Sequence, residues 1–310
     1  MTRDSQSNGT SAFSSTANRA DWASATQQRR RSYRRWISVA HHLTFFLGRK
    51  FPKAVPLIYV IGYPKSGTTW VCQLLSDYLQ LPFPQHAILP VGCPAVVHGH
   101  ETVRADYPQG IYVMRDGRDV AISAFHHLRK HSQLGGKSKG KTNFFAGRSG
   151  DQSVSELLPD FVEHMWKHPF GAKIDWGKHV QSCFHSTNHN FGVFRYEDLV
   201  DRPEHALTSM IENLTREQID TTKLSSTCVR FTFEAISGRA SGTENKESYL
   251  RKGTHGDWRN HFTLAAAQAF DQCFGEALIS AGYESSRDWV VHCPQSISSN
   301  VAAAITDAVD

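Results

Sequence analysis

One stretch of the chain combines two glycines, a lysine and three aliphatic hydroxyl side chains: Gly62-Tyr63-Pro64-Lys65-Ser66-Gly67-Thr68-Thr69. It joins an apolar run to a segment with helical spacing, a setting in which backbone N–H groups and the helix dipole point toward a bound phosphate. Its glycines match the Walker A spacing, but Thr68 stands where that pattern has lysine, and Lys65 lies inside the loop. The pattern predicts a nucleotide-phosphate loop of a variant kind. A glycine turn without a ligand is the alternative.

A second group of anion-binding side chains follows the apolar residues 111–114. Arg115, Arg118 and Ser123 lie within two helical turns of one another, and guanidinium groups match phosphate oxygens. The spacing predicts a pocket for a second phosphate, with an Arg/Asp network that caps the helix as the alternative. A kinase would place a magnesium-binding Asp at this strand end, but here Arg115 stands between the strand and Asp116.

These groups are positioned by short apolar runs that alternate with segments of helical spacing. The alternation predicts a parallel sheet covered by helices on both faces, a three-layer α/β/α fold. Ser153 and Glu156 form a capping box that predicts a helix start, and Pro203 suits the first turn of another helix. The predicted strands are residues 57–61, 95–97, 111–114 and 191–194, and the predicted helices include residues 70–79 and 119–128.

Length and composition favour one folded domain with polar ends. The 310 residues, 40% of them apolar, suffice for one well-buried core, and a net charge of +5 does not indicate a nucleic-acid partner. We expect a disordered tail over residues 1–28, a basic amphipathic helix over 29–50, the main domain over 51–290 and a C-terminal tail over 291–310. Residues 129–150, rich in Lys, Gly, Ser and Arg, predict a long mobile insertion.

The basic segment admits two interpretations. Five arginines precede residues 36–47, which are too few and too polar to span a bilayer and are not followed by a signal-cleavage site. A helix packed on the domain edge is favoured, and peripheral contact of residues 29–47 with an anionic membrane is the alternative. The six cysteines show no metal-binding or paired spacing, which suits reduced thiols in a cytoplasmic enzyme.

Four segments, in order along residues 57–265, resemble the cytosolic-type sulfotransferases that use 3′-phosphoadenosine 5′-phosphosulfate (PAPS). Residues 63–70 resemble the family's 5′-phosphosulfate loop, and residues 115–123 resemble its 3′-phosphate segment. Residues 195–199 resemble its R-Y-E-D-L strand end, and residues 251–260 resemble its late R-K-G-x-x-G-D-W-[KR]-N loop. The resemblance implies a P-loop NTPase-like fold and a PAPS-dependent sulfotransferase.

The resemblance also implies which residues hold the donor. It implies that adenosine 3′,5′-bisphosphate (PAP) is the product and that no metal is required. Phe233 is either the ring that stacks on adenine or a core residue. The implied donor-binding residues are Lys65, Ser66, Gly67, Thr68, Thr69, Trp70, Arg115, Ser123, Tyr196, Phe233, Arg251, Lys252 and Gly253.

Two catalytic residues, Lys65 and His100, follow from the same resemblance. The family carries K-T-H between its first two motifs, with the histidine as base, and this chain has His98-Gly99-His100 there. The base is therefore placed at His100, and His98 replaces the family lysine, where it either orients the donor or shifts the register of the base. Lys65 is expected to stabilise the leaving phosphate.

The acceptor and the partners are the least determined part of the prediction. The acceptor is expected to be a small molecule, lipid or glycan that bears a hydroxyl group. The oligomeric state is left open, with a homodimer as one alternative because the late loop resembles a region near the dimer contacts of relatives. Two rival functions stay open: a phosphate-loop kinase, and a non-catalytic polyanion-binding or membrane-binding protein on a degenerate nucleotide fold.

Overall fold

A computed structural model describes residues 36–37, 39–84, 93–133, 144–148, 152–246, 248 and 250–297. The tail predicted over residues 1–28 lies outside the described residues. So do Arg29 to Arg35, the basic part of the predicted N-terminal helix.

Four parallel strands form the central sheet in the order β2-β1-β3-β4. They are β1 Leu57–Ile61, β2 Ala95–Gly99, β3 Gly110–Met114 and β4 Phe191–Arg195. Every residue of β1 and β3 is buried, which explains why their sequences are continuous apolar runs rather than alternating ones. Because the strands are parallel, their carboxyl ends meet at one edge, where the loop after β1 lies.

Helices cover both faces of the sheet, as predicted. Tyr59 and Tyr112 belong to one apolar core, and Val60 and Val113 belong to the core on the opposite face. The helices are α1 (residues 36–37 and 39–50), α2 Thr68–Leu79, α3 Gly117–Gln133, α4 Val154–Lys167, α5 Trp176–Phe184, α6 Tyr196–Asp201, α7 Pro203–Leu214, α8 Thr221–Arg230, α9 Phe233–Ser237 and α10 Leu264–Ser280, with 3-10 helices at Asp257–Asn260 and Asp288–His292. Helices α1, α3, α4, α5 and α10 supply the first core, and α2, α6, α7 and α8 supply the second.

Helix α1 packs on the domain edge through Phe45, whose ring lies 5.1 Å from that of Tyr59. Its opposite side leaves Trp36, Leu43 and Phe46 exposed to solvent. Within the described ranges, no helix has the length and apolar content needed to cross a bilayer.

The prediction of a mobile insertion over residues 129–150 is wrong for part of that stretch. Helix α3 continues through Gln133, and Phe144 is buried in the first core. The helix was underestimated because its last turns are polar and carry no apolar period, although Lys and Gln are good helix formers. Residues 134–143 and 149–150 lie outside the described residues.

Candidate active site

The predicted phosphate loop lies between β1 and α2, at the carboxyl edge of the sheet. Two of its residues have left-handed backbone conformations, Lys65 with φ 75° and Gly67 with φ 91°. A Cβ atom at Gly67 would lie 2.6 Å from the Tyr196 ring, so only glycine fits there. Lys65 adopts a conformation that costs a non-glycine residue roughly 1–3 kcal/mol, which is typical of functional loops.

A cavity of about 240 Å³ lies over this loop. Of the thirteen residues predicted to bind the donor, only Ser66 and Thr68 are absent from its lining, and both are buried within the loop. Phe233 belongs to neither apolar core and faces this cavity, which favours the stacking interpretation. The lining residues are Lys65, Gly67, Thr69, Trp70, Gln73, Arg115, Ser123, Tyr196, Phe231, Phe233, Ile236, Leu250, Arg251, Lys252, Gly253 and Thr254.

Five lining residues were missed by the sequence reasoning. Spacing alone could have indicated four of them, which are direct neighbours of predicted residues or lie one helical turn from one, whereas Phe231 lies between α8 and α9, two residues before Phe233. The five residues are Gln73, Phe231, Ile236, Leu250 and Thr254.

Arg115 is held in this cavity by an ion pair with Asp119 at 3.9 Å and by three further contacts. Nη1 donates to the Lys65 carbonyl at 3.1 Å, Nη2 donates to the Thr254 carbonyl at 3.3 Å, and the guanidinium lies 4.2 Å from the centre of the Tyr196 ring. Two buried polar atoms of the site, Nε of Arg115 and Oγ of Ser66, have no hydrogen-bond partner among the described residues. Since unsatisfied buried polar groups are costly, these atoms mark positions where an anionic ligand fits.

The late loop is held against α3 by one carboxylate. Oδ2 and Oδ1 of Asp119 accept hydrogen bonds from the backbone N–H groups of Gly256 at 2.6 Å and Trp258 at 2.9 Å. Asp257 in turn binds Lys252 at 2.6 Å and Arg251 at 2.5 Å. These contacts hold Arg251 and Lys252, at the start of the late loop, at the cavity that lies over the phosphate loop.

His100 follows β2 and lies next to the phosphate loop. Its Nδ1 is 2.8 Å from the Gly62 carbonyl oxygen, which can only accept, so Nδ1 carries the hydrogen and Nε2 keeps a lone pair when the ring is neutral. Burial, with a smaller contribution from Lys65, lowers the pKa of His100 below its ordinary value. The His98 ring centre lies 5.6 Å from that of His100.

Lys65 is a half-buried cation among other cations. Burial, followed by the charges of Arg115 and Arg251, lowers the pKa of Lys65 to about 8. An anion in the cavity would relieve this repulsion, since opposite charge favours the protonated ammonium.

The prediction that Arg118 binds an anion together with Arg115 is wrong. Arg118 is 2% exposed, bonds to Asp116 at 2.7 Å and to Glu284 at 2.5 Å, and lies between the rings of Trp258 and Trp289. Arg115 precedes α3 and reaches the cavity, whereas Arg118 lies inside the helix and faces the packed layer beneath the late loop. The alternative interpretation, an Arg/Asp network, therefore describes Arg118 and Asp116 correctly. No cluster of three or more His, Cys, Asp or Glu side chains that could hold a metal ion occurs in the described part of the chain.

Comparison with known proteins finds sulfotransferases. The sequence profile of the sulfotransferase domain family matches residues 97–282. Sulfotransferase 2B1 of Mus musculus is 27% identical over 259 residues, which cover 71% of this chain and 71% of that protein. The amine sulfotransferase of Oryctolagus cuniculus is 25% identical over 260 residues, which cover 71% of this chain and 80% of that protein.

Solved structures show the same fold. Mouse sulfotransferase SULT7A1, complexed with PAP, has a TM-score of 0.54 at 20% identity and covers 76% of this chain and 88% of its own. Retinol dehydratase, in a complex with retinol and PAP, has a TM-score of 0.53 at 17% identity and covers 72% of this chain and 81% of its own. The parallel sheet with helices on both faces is therefore shared with these proteins.

Proposed function

The chain belongs to the sulfotransferase domain family, and on this premise we propose that it transfers the sulfuryl group of PAPS to a hydroxyl group of an acceptor. PAPS supplies an activated sulfuryl group bonded to a phosphate oxygen, and PAP is the product that remains. The observation that carries the proposal is the single cavity onto which the phosphate loop, Arg115, Ser123 and the late loop converge. The unpartnered Nε of Arg115, a residue that lines this cavity, supports an anionic ligand there.

The two phosphates of the donor are assigned to opposite parts of this cavity. The backbone of residues 66–69 and the N-terminus of α2 suit the 5′-phosphate, because N–H groups and the helix dipole converge there. Arg115, Ser123 and the late-loop residues 251–253 suit the 3′-phosphate, which ATP lacks. Trp70, Tyr196 and Phe233 supply aromatic surface for the adenosine.

Lys65 is assigned to the bond that breaks, at the donor phosphate, and His100 is assigned to the bond that forms, at the acceptor hydroxyl. The acceptor oxygen forms a bond to sulfur while the bond from sulfur to the donor phosphate oxygen breaks, and negative charge develops on that phosphate. The Lys65 ammonium stabilises the developing charge. Nε2 of His100 accepts the proton of the hydroxyl, which the tautomer fixed by Gly62 permits. His98 is assigned a positioning role beside that ring.

The wider setting of the reaction stays a proposal. We place the enzyme in the cytoplasm with a small-molecule hydroxyl acceptor, for which a lipid alcohol and a glycan are the two alternatives. Contact of residues 29–47 with a membrane and a homodimer through the late loop belong to the same proposal.

Calorimetry on the full chain tests the donor site. PAP is expected to bind at least 100-fold more tightly than ATP–Mg²⁺, and labelled sulfate is expected to pass from PAPS to a hydroxyl acceptor in excess EDTA. Tight ATP–Mg²⁺ binding with no response to PAP would support the kinase instead. Salt-sensitive lipid or polyanion binding without any PAPS-dependent product would support the non-catalytic alternative.

A further inference from the structure

A second cavity, of about 190 Å³, lies beside the donor cavity. The two cavities share Lys65, Ser123 and Arg251, so the second one opens next to the lysine assigned to the leaving phosphate. We call it the cationic cavity. Its lining residues are Lys65, Ser123, His126, His127, Lys130, His131, Lys246, Ser248 and Arg251.

The cationic cavity is lined by cations, imidazoles and hydroxyls, and none of these lining residues is acidic or aliphatic. Most of them come from one face of α3, because Ser123, His127 and Lys130 follow one another at intervals of four and three residues. A pocket for an apolar alcohol would be lined mainly by hydrocarbon side chains. An apolar acceptor here would instead take water away from charged groups without replacing its hydrogen bonds.

One carboxylate, Glu244, lies at the rim. It binds Arg251 at 2.6 Å, lies 4.0 Å from the Lys246 ammonium, and lies 4.0 Å from Nε2 of His126. Arg251 is paired both with Glu244 and with Asp257, so the positive charge of the lining comes mainly from Lys65, Lys130 and Lys246.

The lowered pKa of His127 agrees with a positive electrostatic potential in the cavity. Burial, followed by the charges of Lys65, His131 and Lys130, lowers the pKa of His127 to about 4. His126 is 7% exposed, and its Nε2 has no hydrogen-bond partner among the described residues. An anion here would supply an acceptor oxygen for Nε2 of His126 and negative charge beside the lining cations.

We propose that the cationic cavity binds an anionic group of the acceptor, so that the substrate is a small hydroxyl compound bearing a carboxylate, sulfate or phosphate. This inference rests on the proposed function, because it assumes that the acceptor hydroxyl meets the sulfuryl group near Lys65. The anionic group then lies among His127, Lys130 and Lys246, which line only the cationic cavity, whereas Ser123 and Arg251 border the donor's 3′-phosphate.

Acceptors that share one ring and differ only in charge test the inference. The neutral reference is 4-hydroxyphenylacetamide, tyramine is the cation, and the anions are 4-hydroxyphenylacetate, 4-hydroxyphenyl sulfate and 4-hydroxyphenyl phosphate. Binding is measured by calorimetry on the full chain preloaded with PAP, so that turnover is not needed. At least one anion is expected to bind tenfold or more tightly than the neutral amide, and the three anionic arms identify the group preferred.

Substitution of the cavity lysines locates the effect. Lys130→Gln and, separately, the more exposed Lys246→Gln are each expected to reduce the anion-to-amide affinity ratio by fivefold or more. Lys167→Gln, on the exposed side of α4, is the matched control and is expected to keep the ratio. Equal affinity for all five compounds, failure of every anion to bind, or an unchanged ratio in both cavity variants would overturn the inference.

The outcome for the proposed function is read separately. If PAP itself does not bind, or no acceptor is sulfated from PAPS under any condition, the proposed function fails. If PAP binds and neutral acceptors are sulfated as well as anionic ones, only the inference about the acceptor fails.

Discussion

At the scale of single residues, the site sets two ionisable groups in opposite protonation states. Neutral His100 presents a lone pair at Nε2, because Nδ1 is committed to the Gly62 carbonyl. Lys65 stays protonated at neutral pH although burial and neighbouring cations lower its pKa to about 8. The proposed chemistry needs both states at once, since a base must be free of its proton and a charge stabiliser must hold one.

The pH dependence of kcat/KM for PAPS follows from these two groups. The rising limb is expected below pH 6.5, because burial lowers the pKa of His100 and the ring loses its proton there. The falling limb is expected near pH 8, because Lys65 loses its charge as the pH rises through its pKa. Steady-state kinetics from pH 5 to about pH 10 measures both limbs.

Lys65→Arg identifies the falling limb. The guanidinium stays protonated throughout this range, so the limb near pH 8 is expected to disappear while the plateau falls about tenfold or more, since arginine does not reproduce the position of the ammonium. Lys178→Arg, exposed on α5, is the control and is expected to keep the limb. A falling limb that stays near pH 8 in Lys65→Arg would assign it to another group.

Arg118 shows where prediction at this scale fails. The sequence gives Arg115 and Arg118 the same residue type three positions apart, yet only Arg115 faces the donor cavity. What separates them is the start of α3 at Gly117 and the pair of tryptophans, Trp258 and Trp289, that come from the distant end of the chain. Such long-range packing carries no local pattern.

At the scale of elements, the donor site depends on how α3 and the late loop are joined. Asp119 on α3 accepts two backbone N–H groups of that loop, and burial raises its pKa, since the charged carboxylate is poorly solvated there. The residues assigned to the 3′-phosphate therefore keep their position through a carboxylate that lines neither cavity.

Asp119→Asn is expected to weaken PAP binding about tenfold, because the amide has one acceptor oxygen and leaves one of the two loop N–H groups facing an NH₂. Calorimetry gives the affinity, and circular dichroism checks that the variant is folded. Asp160→Asn, on an exposed part of α4, is the control. Unchanged PAP affinity in folded Asp119→Asn would mean that the loop does not depend on this contact.

Most elements were predictable because burial shapes their sequences. The four strands are within two residues of their predicted limits. β1 and β3 are apolar throughout because they are buried on both faces, whereas the edge strand β4 has no buried residue. The capping box at Ser153 and Glu156 is confirmed at the start of α4. The polar end of α3 was missed, because a helix turn that faces solvent and a polar loop have similar compositions.

At the scale of the whole molecule, the C-terminal segment packs against the first core. These contacts continue past residue 290, where the domain was predicted to end. Trp289 belongs to that core, and Cys293 packs against it. The backbone N–H of Leu264 donates to the Pro294 carbonyl at 2.7 Å, which ties the start of α10 to this segment. Contacts with the first core and with α10 therefore extend to Pro294.

Two truncations test where the folded unit ends. A chain that ends after Val290 loses the hydrogen bond to Leu264 and the packing of Cys293, together about 2 kcal/mol, whereas a chain that ends after Ile297 keeps both. For a domain of this size the difference corresponds to an unfolding temperature roughly 4–8 °C lower in the shorter chain, measured by calorimetric or circular-dichroism melting. Equal unfolding temperatures for the two chains would place the boundary at residue 290, as composition alone suggested. A lower value for the shorter chain would show that the segment after Val290 stabilises the core that supports α3, and through α3 the donor site.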